Sequence, residues 1–182
     1  MNNILILGIA ILILIILFLI IVLIIGKKKI NEVIIPLNLS LEQTSTCLKQ
    51  KYKLYKEITK FIKDNLSIKE EAFKEFLDFN LKECEQSELI DLLDKTTYEI
   101  NEYVDNYNEL LKNKDFLNLK RKLYDVQVKL EACIEYHNNK IILYNDLKEH
   151  GPTSFSTKLF DFNDYNTIKI DKKEISRLIN LN

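Results

Sequence analysis

The chain has 182 residues, with 26 Lys+Arg against 27 Asp+Glu, three Gly, two Pro, three Cys and no Trp. A net charge of −1 argues against nucleic-acid binding, and so few Gly and Pro exclude collagen-like and Gly/Pro-rich disordered classes. Every charged residue lies beyond Gly26, so the chain reads as one apolar segment followed by a charged one.

Ile4 to Ile25 are all apolar or Gly. As a helix rising about 1.5 Å per residue, this run covers roughly 33 Å, enough for a bilayer's hydrocarbon core. It comes after the uncharged Met1-Asn2-Asn3, is longer than a signal core and leads into Gly26-Lys27-Lys28-Lys29-Ile30, where no small-x-small cleavage site stands. The expectation is an uncleaved transmembrane anchor over 1–26 with the bilayer as its partner. Lys27, Lys28 and Lys29 come directly after the span and no basic residue precedes it, so they are read as setting the topology: N-terminus outside, C-terminal domain cytoplasmic at the cell membrane. Cys47, Cys84 and Cys133, odd in number and far apart in sequence, are expected to be reduced, buried thiols.

Between Pro36 and Gly151 no Gly or Pro occurs, which predicts long helices. The first carries its stripe at Leu37, Leu41, Thr44, Leu48, Tyr52, Tyr55, Ile58, Ile62 and Leu66, and is kinked at Pro36 or restarted by Ser40 and Gln43 as a capping box. After a turn at Asp64-Asn65-Leu66, Ser67-Ile68-Lys69-Glu70 has the capping-box form and predicts the start of a second helix. Its stripe, Phe73, Leu77, Leu81 and Cys84, slips in phase near Gln86-Ser87 and resumes at Leu89, Leu92, Thr96, Ile100, Tyr103, Tyr107 and Leu110, so this region is one bent helix or two. The polar stretch 108–114 predicts a turn, with Asp115 as the cap of the helix that follows. A third helix comes next on Phe116, Leu119, Leu123, Val126, Leu130, Cys133, His137, Ile141, Tyr144 and Leu147, and Gly151-Pro152 ends it. The tail, with Phe155, Leu159, Phe160, Phe162 and Tyr165, is expected to cover the bundle, and Ile175, Leu178 and Ile179 to form a last short helix.

Charge is segregated. Residues 27–60 carry eight Lys and three Glu, residues 61–115 seven Lys and fifteen Asp+Glu, and residues 116–182 eleven Lys+Arg and nine Asp+Glu. A basic first helix beside an acidic second one favours antiparallel packing, but exposed pairs contribute only about 0 to 1 kcal/mol each, so apolar burial holds the bundle. The fold class is all-α: a single transmembrane helix, then an elongated antiparallel bundle of three to four long helices over 27–151, with 152–182 packing on it.

These residues resemble the LemA family of bacterial membrane-anchored helical proteins. The resemblance rests on Gln43, Leu48, Lys49, Lys51, Tyr52, Leu54 and Phe73 in the first part. It continues with Phe116-Leu117, Leu119 and Leu123, with Asn138 and Tyr144-Asn145 as the Asn of a first Tyr-Asn pair and the whole of a second, with Pro152, and with Leu159-Phe160-Asp161-Phe162. His137 stands where the family has the first Tyr of those pairs, Gly151 where it has Phe before Pro, and Asp161 where it has Gly. The resemblance implies a long helical bundle on a single-pass anchor, with these residues in packing roles and no activity general to the family.

Chemistry has few footholds. Cys133 and His137 share a helix face, the arrangement of a thiolate–imidazole pair or half a zinc site, but both fall on the apolar stripe and are expected to be core positions. A carboxylate di-metal bundle needs Glu-x-x-His, whereas Ile134 and Leu147 occupy the positions three before His137 and His150. Three widely spaced Gly leave no phosphate loop or nucleophile elbow. The expectation is therefore no catalytic residue, cofactor or metal: a non-enzymatic scaffold, self-associating or with unidentified protein partners at the membrane. The alternative is a regulatory subunit of a membrane enzyme such as a membrane-bound protease.

Overall fold

The computed structural model describes residues 2–66, 68, 71–82, 84–160, 162–170 and 172–179. Among them are six α-helices, one 3-10 turn and no strand: α1 (Asn2–Leu66), α2 (Lys74–Leu77), α3 (Gln86–Asn106), the 3-10 turn (Asn108–Lys112), α4 (Lys114–Glu149), α5 (Gly151–Leu159) and α6 (Lys172–Ile179). The chain divides into two compact units, one built from residues up to 40 with 136–167, the other from 41–135 with 168 onward.

α1 runs unbroken through Pro36. Pro lacks only its own N–H and the helix has many other bonds to hold it, so Pro36 neither ends α1 nor restarts it. The expected capping box at Ser40 is therefore replaced by a mid-helix Ser whose Oγ donates back to the Leu37 carbonyl at 2.6 Å. Ser40 is buried and Leu41 is exposed, the reverse of the expected stripe. From Ile4 to Ile25 every residue is exposed except Val22 and Leu23, which are half-buried.

The region read as one bent helix or two is two. Phe73, at φ 59°, is the N-cap of the four-residue α2, and α3 begins at Gln86, where the phase slips. A left-handed Phe costs about 1 to 2 kcal/mol. Its buried ring, 5.2 Å from that of Tyr103, offsets this. Phe76, absent from the expected stripe, is buried as well. Ser67 and Glu70, the expected capping box, lie outside the described residues. A capping box is found instead at Glu85 and Glu88, the Glu85 N–H donating to Glu88 Oε2 at 3.1 Å.

Asn113, not Asp115, caps α4: its Oδ1 accepts from the N–H groups of Asp115 and Phe116 at 2.9 and 3.3 Å. The buried face of α4 is Phe116, Lys120, Leu123, Gln127, Leu130, Ile134, His137, Ile141 and Tyr144, alternating steps of four and three. Leu119, Val126 and Cys133, expected on that face, are half-buried at its edge. Gly151 takes φ 70°, the left-handed conformation that ends α4, and Pro152 falls in the first turn of α5. α6 buries Ile175, Leu178 and Ile179, as expected for the last short helix, and Arg177 pairs with Asp105 of α3.

Candidate functional site

The second unit has a polar layer inside an apolar core. Lys51 on α1 is only 3% exposed, with its ammonium 5.4 Å from the centre of the Tyr55 ring. Burial pulls its pKa down to about 8 although Asp94 and Glu131 both favour the charge. Gln127 Nε2 donates to Glu131 Oε1 at 2.8 Å, while the buried Gln127 Oε1 finds no partner among the described residues. Tyr55, fully buried, bonds Thr97 Oγ1 at 2.6 Å, and Thr97 in turn donates to the Leu93 carbonyl at 2.7 Å, which leaves Tyr55 as the donor of the first bond. Burial pushes the Tyr55 phenol well above its ordinary range. The thiols of Cys47 and Cys133 pair with one another through a side-chain hydrogen bond. Burial is the largest reason the Cys47 pKa is raised. All three cysteines are free and half-buried rather than fully buried.

The first unit has a second polar layer. Ser40 Oγ, donating to Leu37, lies 2.9 Å from Nδ1 of His137, which is 2% exposed. Burial lowers the His137 pKa below 6.5, against the carbonyls of Leu37 and Asn166, which favour the imidazolium. Tyr144, buried on α4, donates to the Asn163 carbonyl at 2.7 Å and meets the Tyr165 ring edge-on at 5.2 Å. Tyr165 reaches Asn38 Oδ1 at 3.2 Å. These contacts lay residues 162–165 over Ile30 and Val33.

The His137 environment sets a pH dependence. A folded pKa below the unfolded one means that its stabilising contribution is complete above about pH 6.5 and is lost as pH falls through that value toward the folded pKa. Acid unfolding of the full chain in micelles between pH 7 and 5, monitored by circular dichroism, is expected to flatten in His137→Gln. An unchanged profile would mean that His137 is not held neutral.

Among the residues expected to carry the family pattern, Tyr52 is buried with its ring 4.9 Å from Phe76, Phe116 is buried 5.7 Å from Phe61, and Leu123 is buried. Leu119, Asn138, Phe160 and Phe162 are half-buried. Asn145 is exposed, while its neighbour Tyr144 is buried and bonds the Asn163 carbonyl. Leu159 and Phe155 are also exposed, at 63% and 61%, and do not cover the core: they occupy the outer face of α5. Lys27, Lys28 and Lys29 are exposed, and the Lys27 ammonium lies 4.6 Å from the Phe160 ring centre. Cys133 and His137 have separate partners, Cys47 and Ser40. Sequence reasoning missed the Lys51 layer, whose signal was a Lys and a Gln falling in register with apolar neighbours.

An open cleft of about 590 Å³ lies beside α2 and α3, lined by Glu71, Glu75, Asp78, Glu99 and Glu102 with Lys74, Phe73 and Tyr103. Burial, then the neighbouring Glu75 and Glu102, raises the Glu99 pKa although Lys95 opposes them. Lys95 itself pairs with Glu75. Among the described residues no group of three or more His, Cys, Asp or Glu is placed to hold a metal ion.

One described helix is long and apolar enough to cross a membrane, and its apolar window lies at the N-terminal end of α1. Neither a curated protein nor a solved structure matches the chain. The model of the LemA family matches residues 40–180, which takes in the Lys51 layer, the acidic cleft and α2 to α6. The chain, an apolar N-terminal helix continuing into a helical bundle, belongs to the LemA family.

Proposed function

We propose that this chain is a non-enzymatic scaffold, anchored by one span at Ile4–Ile25, that displays its bundle on the cytoplasmic face of the membrane and recruits other proteins there. The observation that carries this reading is α1: the apolar window and the first core helix are one uninterrupted element, so the bundle cannot leave the bilayer while the span is in it. Lys27, Lys28 and Lys29 immediately after the span favour the cytoplasmic side for the bundle. The residues of the polar layers are buried rather than open to a substrate, and the acidic cleft on α2 and α3 suits basic segments of protein partners.

In-cell cross-linking of the tagged full chain, with membrane extraction and identification of the proteins that co-purify, tests this. The expected result is several membrane-associated proteins, with fewer captured by the charge-reversed pair Glu99→Lys and Glu102→Lys. One dominant membrane enzyme at fixed stoichiometry would replace the scaffold by a regulatory subunit, and self-cross-links alone would replace it by a homo-oligomer.

A further inference from the structure

α5 is a nine-residue helix whose position is fixed from both sides. At its start, Thr153 Oγ1 donates to the Leu147 carbonyl at 2.7 Å, so an α5 hydroxyl satisfies a carbonyl at the end of α4. On its inner face, Ser156 Oγ donates to the Leu23 carbonyl at 3.2 Å. The approach is close enough to require Gly26: a Cβ there would collide with Ser156 Oγ and stand 3.0 Å from its Cβ. Leu23 is in the last turn of the apolar run and Gly26 comes directly after it, so α5 meets α1 at the depth where the run gives way to Lys27, Lys28 and Lys29. Val22 and Leu23, the half-buried residues of the run, are at this level.

The opposite face of α5 carries Phe155 and Leu159, one turn apart and both exposed, beside the exposed Lys158. Two large apolar side chains facing outward at the end of a membrane span, ringed by Lys, match the pattern of a helix lying in the interface. We propose that α5 is a second membrane contact: it lies in the bilayer's headgroup–acyl boundary at the C-terminal end of the span, with Phe155 and Leu159 inserted among the acyl chains and Lys158, Lys27, Lys28 and Lys29 at the headgroups. The occupant of this apolar face is lipid, because Ser156 of the same helix bonds the Leu23 carbonyl in the last turn of the apolar run, and Lys27, Lys28 and Lys29 come directly after that run. This inference rests on reading Ile4–Ile25 as a membrane span.

The absence of Trp makes each introduced Trp the sole indole reporter. Full chain carrying Phe155→Trp, Leu159→Trp, Phe18→Trp or Tyr124→Trp is reconstituted into phosphatidylcholine–phosphatidylglycerol vesicles with lipids brominated either near the headgroup or near the chain end. All four positions are exposed in the structure, so none of the substitutions opens a core. With α5 in the interface, indole at 155 and 159 is quenched more by shallow than by deep bromines and at least about twofold more than at 124, while indole at 18 is quenched most by deep ones. Deep quenching at 18 with 155 and 159 no more quenched than 124 would overturn the proposal and leave the anchor standing. No quenching at 18 would overturn the anchor reading and the proposal with it.

Discussion

Replacing Tyr55 by Ala is expected to destabilise the bundle by about 3 to 5 kcal/mol, the range for emptying a large aromatic site in a packed core. Tyr55 is fully buried, its ring lies 6.3 Å from that of Phe76 and its hydroxyl is tied to Thr97 on α3. Folded domains retain only about 5 to 15 kcal/mol in total, so this one change takes a large share of the stability. Tyr55→Phe separates packing from the hydrogen bond: the ring stays, Thr97 keeps its bond to Leu93, and the cost falls to about 1 kcal/mol. Denaturant unfolding of the full chain in micelles, monitored by circular dichroism, measures both. Equal small losses for the two variants would show that Tyr55 is not a core residue joining α1 to α3.

Lys51 gives the second large effect, and it is one of pH. Its folded pKa of about 8 is below the ordinary 10.5, so between these values the unfolded chain holds a proton that the folded chain has released. Stability contributed by this site therefore rises as pH increases through that window, and below about pH 8 the fold carries the full cost of a buried ammonium. From pH 8 to 9.5 the rise is about 2 kcal/mol, at 1.36 kcal/mol per unit. The window stops short of pH 10 because Tyr55, whose pKa is raised by burial, contributes in the opposite direction once unfolded tyrosines ionise. Lys51→Met is expected to remove the rise. It also leaves the half-buried Asp94 and Glu131 without that cation, so its stability at neutral pH is a balance of two opposing changes, and the slope against pH is the quantity to compare. A variant as steep as the parent between pH 8 and 9.5 would place the titrating group elsewhere.

How far the sequence discloses this molecule depends on the residue type at each position. The apolar run, the left-handed Gly151, the phase slip at which α3 begins and the closing helix α6 are all legible, because hydrophobic run length, glycine chemistry and phase are direct signals. The inner face of α4 is legible in period and misplaced in register. A reading that tracks apolarity steps from Phe116 to Leu119 and from Leu123 to Val126, whereas the buried positions are Lys120 and Gln127. A buried polar side chain can take its partners from other helices, as Lys51 on α1 does from Asp94 and Glu131, and no local pattern encodes those partners. The same applies to Ser40, buried against His137 97 positions away. The spacing of Phe73 from Tyr52 is visible in sequence but its left-handed backbone is not, since tertiary packing overrides the ordinary preference of a bulky residue. The outward face of α5 escapes a sequence reading because aromatic content alone does not distinguish a side chain turned to protein from one turned to lipid.

A single crossing at Ile4–Ile25, with everything from Lys27 onward on the cytoplasmic side, underlies the scaffold reading. Protease accessibility of the C-terminally tagged full chain in sealed membrane vesicles of both orientations, checked by carbonate extraction, puts that topology to the test. Carbonate resistance, and loss of the tagged domain only in inside-out vesicles, is the expected result. Release by carbonate, or digestion of the domain in right-side-out vesicles, would contradict it.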